Sequence, residues 1–235
     1  MRNILFVTAC FFTTAVFGSD LAKEQRWADQ VLDSLLDGEE VNLTAYGTDF
    51  IGIFTEAEQA QANVLLLHGI GAHPDWPQVI SPLRVGLTEL GFNTFSIQLP
   101  ILANDAASED YDKIMHEAAP RIKTAVAYLA ACCKLKNHIV AHSMGAKMAT
   151  SYLSNNSRPD INKFVAVGMN KDVNISKITV PVFDIYGEYD FAGVLEAIPQ
   201  RKAETSKQVM IKGADHFMEG QEQELLELIA DLLGQ

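Results

Sequence analysis

From Val64 onward the chain repeats one pattern: a short apolar run, a turn, then a stretch with apolar residues every third or fourth position. Val64-Leu65-Leu66-Leu67 is apolar at every position, as a strand covered on both faces must be. Comparable strand segments are Asn93–Leu99, Asn137–Ala141, Lys163–Met169, Thr179–Tyr186 and Gln208–Ile211. Between them the spacing predicts helices over Pro77–Leu90, from Pro120 to about Cys133, and over Ala146–Leu153 and Ala192–Thr205. Gly91 would end the first of these, where a left-handed residue is easily accommodated. In a final helix Leu225, Leu226, Ile229, Leu232 and Leu233 line one side. Such alternation specifies an α/β fold with a mostly parallel central sheet flanked by helices, and groups that do chemistry then collect at the carboxyl ends of the strands.

Before this repeat, residues 21–37 predict a helix in which Trp27, Val31 and Leu35 lie beside Ala28, Leu32 and Leu36. Val41–Tyr46 and Phe50–Phe54 read as an antiparallel hairpin turning at Gly47. A length of 235 residues suits one such domain, spanning 19–235. Met1-Arg2 followed by an apolar run from Ile4 to Gly18 reads as a signal peptide over 1–18, with a periplasmic or secreted protein as the consequence. The run falls short of the roughly 20 apolar residues of a membrane span, so no stable span is expected after cleavage; an uncleaved anchor is the alternative. Val7–Cys10 superficially resembles a lipoprotein site, but its preceding apolar stretch is very short and Phe11-Phe12 follow it. Cys10 would leave with the leader. Cys132 and Cys133 could pair only through a strained small ring, so two free, half-buried thiols at a helix end are expected.

The formal net charge of −12 argues against a nucleic-acid partner, because phosphate binding needs clustered Lys and Arg. No zinc-ligand spacing or Gly-rich dinucleotide fingerprint occurs, and neither a metal nor an organic cofactor is implied.

Ala141-His142-Ser143-Met144-Gly145 joins a predicted strand to a predicted helix. In that context a sharp turn lifts a serine hydroxyl above the sheet edge and leaves backbone N–H groups at a helix N-terminus beside it. Ser143 is the candidate nucleophile, and an ordinary helix-capping serine is the alternative. Ala141 departs from the glycine usual in GxSxG; Gly145 retains it. Three further segments stand at strand ends: His68-Gly69, Gly187–Asp190 and Gly213–His216.

Together these segments resemble the α/β-hydrolase fold family over nearly the whole of 19–235. More narrowly, Glu24-Gln25-Arg26-Trp27, Gly71–Pro77, Pro82-Leu83-Arg84 and Ser96–Pro100 are similar to a group of exported bacterial hydrolase-like proteins of uncharacterised function. The resemblance implies the chain order serine, acid, histidine. Of six histidines only His216 follows Ser143, so it is the expected base. Asp190 is the expected acid, with Glu188 and Asp172 as alternatives; Asp215 is expected to shape the turn beside His216, and Asp184 lies inside a strand. Backbone N–H groups of Met144 and Ile70 are the expected oxyanion donors. His68 reads as a structural hydrogen-bonder.

His73, Trp76 and Gln98 are candidate substrate contacts. The alternative for Trp76 and Pro77 is a helix start anchored in the core, with Asp75 capping it. The loop Pro100–Glu109 could also reach substrate. Only a short connection separates Met169 from Thr179, so no cap domain is expected and the site should be open and shallow. The implied activity is hydrolysis of a small ester or related acyl compound, with amide hydrolysis and acyl transfer using the same groups. A non-catalytic, envelope-associated binding protein on the same scaffold is the rival, since fold does not imply function. N-terminal sequencing of the exported protein is expected to find Ser19 first; a protein retaining Ile4–Gly18 would speak for an anchor.

Overall fold

The computed structural model describes residues 18–157, 159–201 and 206–234. Apart from Gly18, the leader expected over 1–18, with Cys10, lies outside the described residues. Helix α1 (Leu21–Ser34) precedes an antiparallel hairpin of β1 (Glu39–Ala45) and β2 (Thr48–Thr55). There follow β3 (Ala62–Leu67), α2 (Ile80–Glu89), β4 (Phe92–Ile97), α3 (Met115–Cys132), β5 (Asn137–His142) and α4 (Met144–Ser154). The chain continues through β6 (Lys163–Val167), β7 (Val182–Gly187), α5 (Ala192–Ala197), β8 (Ser206–Ile211) and α6 (Glu222–Gly234).

The described strands form one eight-stranded sheet in the order β1-β2-β4-β3-β5-β6-β7-β8. β1, β2 and β4 pair antiparallel; β4-β3 and every later pair are parallel. Side chains alternate across a strand, so an all-apolar strand feeds two cores. Leu65 and Leu67 of β3 join Ile122 and Leu129 of α3 and Met148 and Leu153 of α4 on one face. Val64 and Leu66 join Leu83 and Leu87 of α2 and Leu225 and Ile229 of α6 on the other. This is the expected α/β architecture, and only a short connection runs from Val167 to Val182, with no cap domain.

Several element bounds differ from expectation for identifiable reasons. α3 does not begin at Pro120 but at Met115, straight out of a 3-10 turn over Ser108–Ile114, leaving Pro120 inside the helix. Proline lacks the N–H that a helix interior uses, but just past the first turn it removes only one bond. Burial of Ala118, Arg121 and Ile122 outweighs that loss. α2 starts at Ile80, not Pro77, because Val79 holds a φ of 65°, outside the helical region. Asp75, expected to cap that helix, instead ion-pairs with Arg84 at 2.9 Å. α5 stops at Ala197, and buried Arg201 reaches Asp184 at 3.0 Å. α1 ends at Ser34, three residues before the expected bound. Cys132 and Cys133 are free at the end of α3; Cys133 is half-buried, while Cys132 is exposed. Among the described residues no helix is long and apolar enough to cross a membrane.

The N-terminal helix is joined to the domain by a buried ion pair. Asp20 accepts from the Lys23 N–H at 2.9 Å, capping α1, and Glu24 then meets Arg121 of α3 at 2.8 Å with both side chains almost fully buried. Glu24 also accepts from the Ile101 N–H at 3.2 Å, and Arg121 lies over the Phe50 ring. Burial pushes the Glu24 carboxyl up from its ordinary value, against the pull of the Arg121 guanidinium. Removing one partner leaves a desolvated charge uncompensated. Glu24→Ala or Arg121→Ala should therefore destabilise the domain by about 3–5 kcal/mol in urea denaturation, with the double variant costing less than the sum of the two.

Candidate active site

The turn between β5 and α4 places Ser143 at a φ of 53° and ψ of −116°, a conformation that L-residues with side chains seldom adopt. The Ser143 N–H donates to the Val167 carbonyl of the neighbouring strand at 2.8 Å, which holds the strained turn in place. Gly145 makes the turn possible by contact: a Cβ there would fall 2.5 Å from the carbonyl oxygens of Leu67 and His68. Ala141, at the usual glycine position of the motif, is fully buried.

His216 follows β8 and returns across the carboxyl ends of β7, β6 and β5. Its Nε2 is 3.0 Å from Ser143 Oγ, and its Nδ1 is 2.6 Å from Asp190 Oδ1. A carboxylate only accepts, so Nδ1 carries a proton, and in the neutral ring Nε2 is then the acceptor for the serine hydroxyl. Asp190 is itself held by the Phe191 N–H at 2.7 Å and the Gly187 N–H at 3.3 Å. The other acids have different partners. Asp172 binds Lys147, Glu188 accepts from the Gly213 N–H at 2.9 Å, Asp184 pairs with Arg201, and Asp215 accepts from the N–H groups of Phe217 and Glu219.

Ser143 and His216 open into a hollow of about 250 Å³ lined also by Ile70, Ser108, Met144, Lys147, Asn170, Asp172, Phe191 and Val194. Both residues whose N–H groups were expected to act as oxyanion donors thus line the same hollow as Ser143. No hydrogen bond to a protein acceptor is found for the Ile70 or Met144 N–H among the described residues. His73, Trp76 and Gln98 do not line this hollow, which corrects their assignment as substrate contacts. His73 and Trp76 pack with Trp27, ring centroids 4.8 and 6.0 Å away, beneath α1, where apolar area is taken out of water. Gln98 is buried and donates to the Leu99 carbonyl at 2.7 Å and towards His68 Nε2 at 3.1 Å. His68 donates from Nδ1 to the Gly69 carbonyl and accepts at Nε2 from the Leu99 N–H. Burial pushes its pKa down to about 3, so it holds the turn as a neutral ring.

Several residues at the site were not singled out from sequence. His142 Nε2 donates to the His216 carbonyl at 2.9 Å, tying the strand that carries the serine to the loop that carries the imidazole. Phe191 stacks on His216 with ring centroids 4.1 Å apart. Gly168 sits at a φ of 64°, and a Cβ there would come within 2.8 Å of the His216 ring. Its place directly after the apolar run of β6 was the available signal. Lys147 and Asn170 had none, since a polar residue on a helix or loop usually faces water.

Burial pushes His142 down to a pKa of about 4. In the unfolded chain the same ring titrates near 6.5, so the folded state resists protonation and stability contributed by the neutral ring is complete above about pH 6.5 and is lost as pH falls towards 4. Imidazole 15N NMR is expected to find His142 neutral, with its proton on Nε2, from pH 8 down to about 5. Protonation near pH 6.5 would show that the ring does not hold the His216 loop in this way.

Residues 14–111 match a family model described as a protein of unknown function, DUF3530. No curated protein matches the chain. Among solved structures it is similar to an alpha-beta serine hydrolase homologue from Coxiella burnetii, at 15% identity and a TM-score of 0.65 over 85% of this chain and 99% of that one. It is also similar to a dienelactone hydrolase from Anabaena variabilis, at 19% identity and a TM-score of 0.67 over 83% and 97% of the two chains. A third is a serine hydrolase without a lid from Xanthomonas campestris, at 12% identity and a TM-score of 0.66 over 81% and 91%. The sheet order, the strained serine turn and these likenesses agree, and the chain has the α/β-hydrolase fold.

Proposed function

We propose that this protein is a serine hydrolase acting on a short carboxylic ester or a related acyl compound. The observation that carries the reading is the unbroken hydrogen-bond chain from Ser143 Oγ through His216 to Asp190. A serine hydroxyl is a poor nucleophile near neutral pH until an adjacent base removes its proton. In the proposed reaction Ser143 Oγ attacks the substrate carbonyl while His216 Nε2 takes the proton, and Asp190 stabilises the imidazolium that forms. The Met144 and Ile70 N–H groups hold the negative oxygen of the tetrahedral intermediate, each such donor contributing about 10²- to 10³-fold in rate. His216 returns its proton to the leaving oxygen, and water then releases the acyl group by the same steps.

The hollow of about 250 Å³ supports a small substrate, because drug-sized ligands occupy pockets of about 300–1,000 Å³. Solved structures described as a dienelactone hydrolase and as a cold-adapted esterase from an Arctic intertidal metagenomic library are compatible with this chemistry. Export to the periplasm or beyond belongs to the same proposal and rests on the leader pattern of 1–18.

A fluorophosphonate probe is expected to label the protein at Ser143 and to fail on Ser143→Ala. Asp190→Asn should lower turnover of p-nitrophenyl acetate by about 10⁴-fold, as loss of a triad acid does, whereas Asp172→Asn should cost far less. A folded protein that neither takes the probe nor turns over a varied ester panel would favour the non-catalytic scaffold.

A further inference from the structure

We infer that the hollow beside Ser143 selects its substrate by charge, favouring cationic esters over neutral ones and neutral esters over anionic ones. This deepens the serine-hydrolase reading and rests on it. Lys147 lies in the first turn of α4, and its side chain lines the same hollow as Ser143. A lysine in such a place would ordinarily invite an anionic substrate group. Here its ammonium is already engaged on two sides, by Asp112 of the 3-10 turn at 2.7 Å and by Asp172 of the β6–β7 connection.

The exposures decide which charge a substrate meets. The Lys147 side chain is 15% exposed, against 62% for Asp112 and 47% for Asp172. Two carboxylates thus face outward around one sequestered ammonium, and the cluster carries a net negative charge. Of this cluster Lys147 and Asp172 line the hollow, and Asp112 acts on it through its contact with Lys147. Apart from His216, the rest of the lining among the described residues carries no charge: Ile70, Met144 and Val194 are apolar, and Ser108 and Asn170 are neutral. Phe191, more than half exposed, adds an aromatic ring to which cations are attracted. The far field has the same sign, since the whole chain carries −12. The clamp has a second effect: by joining the 3-10 turn to the β6–β7 connection through α4, Lys147 fixes the two walls between which the substrate must fit.

One uncompensated and partly screened charge at the rim of a hollow changes a rate constant by about three- to tenfold per substrate charge. The test uses three fluorophosphonates of equal length whose tails end in trimethylammonium, methyl or carboxylate. In each, Ser143 Oγ bonds to phosphorus, fluoride departs with the P–F electron pair, and the serine proton passes to His216. Second-order labelling rates, each corrected for spontaneous hydrolysis of the probe, are expected to fall in the order cationic, neutral, anionic, by about threefold or more at each step in low salt. The spread should narrow in Asp112→Asn, which leaves one carboxylate against Lys147, and the order should reverse in Asp112→Asn/Asp172→Asn, which leaves the ammonium without either carboxylate partner. Equal rates or a reversed order in the unmodified protein would overturn the inference while leaving the hydrolase reading intact. Failure of all three probes to label Ser143 would overturn that reading and this inference with it.

Discussion

The backbone at Ser143 is the constraint on which the rest of the site depends. A residue held at a φ of 53° is strained by about 1–3 kcal/mol, and the strain persists only because the surroundings over-determine it. Those surroundings are the Val167 carbonyl that takes its N–H, the close approach of Gly145 to Leu67 and His68, and the fully buried helix–sheet packing of Ala146 and Ala149. The turn does two things together: it lifts the hydroxyl out of the sheet and begins α4 beside it. The first makes the oxygen accessible, and the second puts the positive end of a helix where negative charge would develop.

Around that turn the electrostatics are divided between rings kept neutral and charges kept paired. His68 and His142 are buried enough to lose their charge at any ordinary pH, which lets each serve as a fixed one-donor, one-acceptor connector. His216 differs from both by having a carboxylate on one nitrogen and a hydroxyl on the other. The buried arginines Arg84, Arg121 and Arg201 each have a carboxylate partner, and Arg121–Glu24 joins segments 97 residues apart. Arg121–Glu24 holds α1 over the hairpin end of the sheet, while Arg201–Asp184 stiffens the β7 strand that ends at the acid. The motifs Glu24–Trp27 and Gly71–Pro77 therefore serve largely to attach α1: Trp27 donates to the Gly71 carbonyl at 3.2 Å and packs on His73 and Trp76.

The sequence was most informative where one local signal coincided with the periodic pattern. The all-apolar strands, the helix of Leu225–Leu233 and the strand–Ser143–helix junction are each legible from neighbours in the chain. It was weaker at element ends. Pro120 is a good start signal, yet α3 begins before it because tertiary burial rewards the extra turn; Pro77 is another, yet the left-handed Val79 defers α2 to Ile80. It was weakest for His73, Trp76 and Gln98, which sit near strand ends in sequence but turn inward in space.

The amino-acid sequence by itself determined the alternation of strand and helix, hence the doubly covered sheet, and the candidacy of Ser143 as the residue at its sharpest turn. It did so because period and turn chemistry are local properties of a chain. Only the tertiary structure decided which carboxylate reaches His216, that His142 carries the His216 loop, and that Lys147 is already engaged by Asp112 and Asp172. Those outcomes depend on distances of a few ångströms between segments dozens of residues apart, and such distances are set by how two cores pack against one sheet.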